Sequence, residues 1–206
     1  MPTATDSFSY SDGALPTVSG GLWTGVLGTI NAASNVIKGN TTGDNVVRRT
    51  DGHSYTDDQD CQIVASVIPV TGDDDGGPCV RCQSGSSSFY LCDFSVVGGK
   101  WHIGYYYCNA GTFNLLGVGF DTTITAANGD VLKLRIAGTT LTASINGTDQ
   151  STRTDSNLTT GVPGIHISNN TNIRWDNWQS TAQVATFLAA PPVRPVGQAV
   201  KRAAYY

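Results

Sequence analysis

The 206-residue chain contains no glutamate. Its sixteen acidic residues are all aspartate, and lysine occurs four times, at Lys38, Lys100, Lys133 and Lys201. Met1 is the single methionine. The strong helix formers other than alanine and leucine are therefore nearly missing, while serine and threonine together number 42 and glycine 24. That balance argues against a helical bundle, a coiled coil and a doubly wound α/β fold, and favours strands and turns. It also removes chemistry. A glutamate pair for glycoside hydrolysis and a His-Glu-x-x-His metalloprotease helix are both excluded.

Long apolar runs are missing too. No stretch approaches the roughly 18 consecutive apolar residues of a membrane helix, so no membrane partner is expected. The segment from Met1 to Asp6 has no basic and apolar leader, and a product without a signal peptide is expected. Charged residues make up only 14 %, with a net charge of −4. No basic footprint for nucleic acid exists. With 39 % hydrophobic residues the chain can bury a core, and its length suits one all-β domain. The five cysteines, Cys61, Cys79, Cys82, Cys92 and Cys108, are odd in number. Cys79-x-x-Cys82 lacks the second close pair of a zinc knuckle, so buried free thiols are expected in preference to a disulfide or a metal site.

Short β-type runs separated by turn residues fill the chain. The clearest are Cys79 to Gln83, Phe89 to Val97 and Trp101 to Cys108, joined by the Ser84–Ser88 and Gly98–Lys100 turns. Leu132, Leu134 and Ile136 alternate with Lys133 and Arg135, the period of a half-buried strand. Leu141 to Ile145 follows and ends at Asn146-Gly147, a tight-turn signal. A last β segment runs from Gly164 through Trp178. Trp23, Trp175 and Trp178 are expected to pack inside. Trp175 and Trp178 are three apart, so an uninterrupted strand would turn one of them outward. These features predict an all-β antiparallel sandwich over residues 1–181. After Thr181 the composition shifts to an alanine-rich stretch, a proline-stiffened one and a basic, aromatic end. Residues 182–206 are expected to form a C-terminal arm that binds a partner through Pro191, Pro192, Arg194, Pro195, Tyr205 and Tyr206.

Several pieces, taken in order, carry a family likeness. They are Asp6-x-Phe8 with Gly13-x-Leu15 and Trp23, the strand holding Val80-Arg81, and Gly129 to Leu134 followed by the Asn146-Gly147 turn. The exit through Thr160-Gly161, Gly164-Ile165 and Trp175-Asp176-Asn177-Trp178 completes the set. Over roughly Asp6 to Ser180 the chain resembles the concanavalin A-like, laminin-G-like jelly roll. Copies of this kind followed by a short tail look like virion proteins of tailed bacteriophages, as minor tail, fibre or capsid-decorating components. The resemblance implies a structural role in the virion, with other virion proteins and further copies of the chain as partners and a host-surface glycan as ligand. A stand-alone carbohydrate-binding module or lectin is the alternative, and an atypical polysaccharide hydrolase the third reading. Hydrolases of this superfamily use Glu-x-Asp-x-x-Glu on one strand. With no glutamate present, the chain is expected not to be an enzyme and to need no cofactor.

The central hairpins sort side chains into two faces. One collects Val80, Cys82, Tyr90, Cys92, Phe94, Trp101, Ile103, Tyr105 and Tyr107 and reads as core. The other mixes aromatics with hydrogen-bonding groups. On it Arg81, Asp93, His102 and Tyr106 are the candidate ligand-binding residues, against the plainer reading of a polar outer face. Asp73, Asp74 and Asp75, beside Gly76-Gly77, offer oxygen ligands of the kind calcium takes. The plainer reading there is a solvated acidic turn.

Overall fold

A computed structural model describes residues 3–40, 42–68, 74–168 and 173–181. The strands among them are β1 (Thr3–Asp6), β2 (Gly13–Ala14), β3 (Trp23–Leu27), β4 (Ile30–Ala33), β5 (Val36–Gly39) and β6 (Asp44–Arg49), with the one-turn helix α1 (Leu15–Val18) after β2. They continue with β7 (Gln59–Val67), β8 (Gly76–Cys82), β9 (Phe89–Val97), β10 (Lys100–Asn109), β11 (Thr112–Leu115) and β12 (Phe120–Thr125). The last are β13 (Val131–Ala137), β14 (Thr140–Ile145), β15 (Thr148–Thr154), β16 (Val162–Ser168) and β17 (Arg174–Thr181). The arm at 182–206, with Pro191, Pro192, Arg194, Pro195, Tyr205 and Tyr206, lies outside the described residues, as does Asp73.

Two antiparallel sheets form a jelly-roll sandwich. One runs β15-β14-β13-β7-β17-β5-β4-β2, with β1 also on β17. The other runs β11-β10-β9-β8-β16-β6-β3, with β12 also on β10. Tight turns set the register. Gly98 and Gly99 (φ 57° and 78°) join Val97 to Lys100, and Asn146 and Gly147 (φ 50° and 79°) join Ile145 to Thr148. Both central residues of each turn have positive φ, which suits the twist of a two-residue hairpin. Between the sheets lies the main core, where Tyr90, Cys92, Phe94, Trp101, Ile103 and Tyr105 meet Cys61, Ile63, Leu132, Leu134, Ile136 and Trp175.

The opening motif ties the two sheets together. Asp6 accepts hydrogen bonds from Phe8 N, Tyr10 Oη, Trp23 Nε1 and Arg49 Nη1 at 2.7–2.8 Å. Arg49 also donates to Asp51 at 2.6 Å, and its guanidinium lies 4.9 Å from the Trp23 ring and 5.1 Å from Trp178. A buried ion pair is tolerated where further partners share its charge, as Asp51 and the two tryptophan rings do for Arg49.

Two expectations are corrected by backbone irregularities. Trp175 and Trp178 both face the core, at 0 % and 1 % exposure. Asn177 between them has φ 46° and the register slips between Asp176 and Gln179, so one extra residue restores the inward side. Arg81 behaves likewise. Its φ is 52°, and the pairing of β16 with β8 shifts between Val162/Cys82 and Gly164/Cys79. Cys82 is thereby moved off the core face and onto the outer apolar cluster. Arg81 is not on the ligand face. It is 3 % exposed and donates to the carbonyl oxygens of Asp57, Leu158 and Gly138 at 2.7–3.0 Å.

Arg81 is thus a clamp on three loops. Arg81→Ala leaves three carbonyls without their donor and should lower unfolding free energy by about 3 kcal/mol, read by urea denaturation. A change below about 0.5 kcal/mol, the scale of a plain surface substitution, would show that the clamp carries no stability.

Candidate functional site

The outer face of the β11-to-β3 sheet carries a second apolar cluster. Val46, Cys79, Cys82, Phe89, Leu91 and Cys108 are buried there, with Tyr106 and Phe113 packed on them. Phe113 makes tilted or edge contacts with Phe89, Tyr106 and His166, at centroid distances of 5.8, 6.2 and 5.9 Å. Beside this patch the strands bring polar groups together: Asp44 from β6, Asp75 just before β8, Asp93 from β9, Tyr106 from β10 and His166 from β16.

Two recesses share Asp75, Asp93 and Tyr106. The smaller, about 140 Å³, adds Asp44, Phe113 and His166. The larger, about 310 Å³, adds Ser95, His102 and Leu115. The sheet therefore places Asp93, His102 and Tyr106 along one groove and leaves Arg81 out. Asp75 joins them, while Asp74 is buried at 4 % exposure. A recess of about 510 Å³ at Asp6, Tyr10 and Arg49 is roomier. Its charged groups already satisfy one another, which marks it as structural.

Gly76 and Gly77 make the groove. Both are strand residues of β8 rather than turn residues. A Cβ on Gly76 would meet the His166 carbonyl oxygen at 2.5 Å, and one on Gly77 would sit on the Cys92 carbonyl. Glycine lets β8 approach β16 and β9 closely, and this draws the short Asp75 side chain to Asp93 and His166.

His166 is 2 % exposed. Its Nε2 lies 2.9 Å from Asp44 Oδ1, and its Nδ1 faces Asp93 Oδ1 at 3.7 Å, too long for a hydrogen bond. Burial opposes the imidazolium, yet the carboxylates of Asp44, Asp93 and Asp75 outweigh it and push the pKa up to about 9. Burial, reinforced by the Asp93 charge, raises Asp75 to about 8. The His166 hydrogen bond holds Asp44 below its usual value. At the groove rim His102 Nδ1 is 2.6 Å from Asp121 Oδ1, with Gly119 against its other nitrogen. Two groups at the site, His166 and Asp44, escaped the sequence reading. The only signal was a histidine alternating outward between Ile165 and Ile167.

The five cysteines are free and buried. Burial raises the thiols of Cys61, Cys79 and Cys92 well above their ordinary value, which makes them poor nucleophiles. Among the described residues no helix is long and apolar enough to cross a membrane.

No family model matches the chain, and no curated protein matches it. Solved structures do. A carbohydrate binding module, CBM66 from Bacillus subtilis, is similar at TM-score 0.62 and 16 % identity, covering 78 % of this chain and 96 % of that one. A Bacillus licheniformis β-glucanase is similar at TM-score 0.53 and 11 % identity, covering 89 % and 99 %. A Crh5 transglycosylase in complex with NAG follows at TM-score 0.53 and 10 % identity, covering 87 % and 83 %. These likenesses establish the antiparallel jelly-roll fold. They also correct the expectation that the chain is not an enzyme, because a glucanase and a transglycosylase share the fold. The physical reason lies in the groove: losing glutamate removes one motif, whereas Asp75, just before β8, and Asp93 of β9 still come together.

Gly77→Ala should force β8 away from β9 and cost about 2–3 kcal/mol, whereas Gly25→Ala, whose added Cβ would have no neighbour nearer than 3.9 Å, should cost about 1 kcal/mol or less. Thermal denaturation of both variants checks this. Equal losses would mean that close strand approach does not govern the groove.

Proposed function

We propose that the chain is a glycan-recognising jelly-roll domain whose sugar site is the groove of Asp93, His102 and Tyr106. The observation that carries this reading is the meeting of carboxylate, imidazole and aromatic groups in two adjoining recesses. Apolar side chains lie near them, with Val97 52 %, Leu115 51 % and Phe120 37 % exposed. Sugars are held by such mixtures, their hydroxyls bonding to planar polar groups and their C–H faces lying on apolar ones. The similarity of the fold to a carbohydrate binding module supports the same reading.

The test is a glycan array followed by titration of any retained glycan. Tyr106→Ala and Asp93→Asn should each weaken binding at least tenfold in variants that still show a cooperative thermal transition. Full binding by both folded variants would move the site elsewhere. Mass spectrometry of the glycan after incubation reads turnover in the same samples.

The setting we propose is the surface of a phage particle, supported by the sequence resemblance alone. Removing residues 191–206 should then stop incorporation into particles while glycan binding persists. Normal incorporation of the shortened chain would count against that setting without touching the glycan site.

A further inference from the structure

The geometry points to a divalent transition-metal site, zinc in chemical type, held by Asp75, Asp93 and His166 in the floor of the groove. One ligand atom from each residue lies within 4.8 Å of the others. Asp75 Oδ1, Asp93 Oδ1 and His166 Nδ1 are each buried with no hydrogen-bond partner. Three such atoms this close together form a ligand set that one shared cation would satisfy.

The imidazole is oriented for the task. Its Nε2 is engaged by Asp44 at 2.9 Å, which turns Nδ1 towards the two carboxylates. A carboxylate on the far nitrogen of a ligating histidine is the usual outer support of a metal-bound imidazole. The backbone is fixed as well, since Ser168 N donates to the Asp75 carbonyl at 2.9 Å and β8 is paired to both β9 and β16. Bonds of about 2.0–2.2 Å are reached by turning the two carboxylates inward.

One nitrogen and two carboxylate oxygens suit zinc and its first-row neighbours. Calcium prefers six to eight oxygens and gains little from an imidazole. Three protein ligands leave at least one position open, and the cluster lines the smaller recess, so that position opens to the groove. The site stands whether or not the groove holds a sugar.

Chelator-stripped protein titrated with zinc chloride, and separately with calcium chloride, tests the assignment. The full chain should take up one equivalent of zinc, gain thermal stability with zinc concentration, and show no competition from calcium. Asp75→Asn and Asp93→Asn should each weaken zinc at least tenfold. X-ray absorption at the zinc edge of the unaltered chain should show nitrogen and oxygen scatterers and no sulfur. This measurement does not depend on either variant folding. Absence of zinc uptake, unchanged affinity in both variants, or sulfur scattering from Cys79 and Cys82 would each overturn the site.

Discussion

Every charge that this sandwich takes out of water has to be met by a partner inside it. The chain carries few charges, and several of them sit where two sheets join. Asp6 gathers four donors and holds Arg49 between two tryptophans. Asp130 accepts from Trp101 Nε1, Ala127 N and Asn146 Nδ2. Asp60 binds Lys133 at 2.9 Å and receives Thr181 N. In each case the cost of desolvation is offset by a full set of bonds. The Asp75, Asp93 and His166 group departs from that rule, because Asp75 Oδ1, Asp93 Oδ1 and His166 Nδ1 are buried without a hydrogen-bond partner.

The two faces of β9 and β10 show how one sheet forms both the core and the candidate groove. Alternation sends Tyr90, Cys92 and Phe94 into the main core and Phe89, Leu91 and Asp93 outward. The outward set is itself mostly buried, since Phe113 from β11 lies over Phe89 and against Tyr106. The groove is therefore walled by packed aromatics rather than by free loops. A site on paired strands holds its geometry better than one on mobile segments.

Much of this was legible in the sequence. Strict alternation identified the core face of β9 and β10 residue by residue, because a period of two leaves no freedom once the turns are placed. The Ser84–Ser88 and Gly98–Lys100 turns placed them. Failures occurred where a single residue broke the period. Positive φ at Arg81 and Asn177 added one residue to the strand, which moved Cys82 outward, hid Arg81 and turned Trp178 inward. Neither residue is a glycine, so no local signal announced the bulge. Strand β15, Thr-Asp-Gln-Ser-Thr-Arg-Thr, escaped for another reason: it has no apolar period, and only its neighbour β14 makes it a strand. His166 and Asp44 escaped because their convergence with Asp75 depends on strands distant in sequence.

The absence of glutamate has a structural consequence as well as a chemical one. An aspartate reaches one methylene less far than a glutamate, so two aspartates on neighbouring strands meet only where the backbones are drawn close. Gly76 and Gly77 supply that approach, since any side chain there would strike the carbonyls of His166 and Cys92. Read in the sequence, the glycine pair after three aspartates looks like an acidic turn. In the fold it is the start of an interior strand, and it lets an all-aspartate chain assemble a compact carboxylate and imidazole group. The column that is empty in the composition thus demands close backbone approach between these strands. Those approaches, in turn, locate the site.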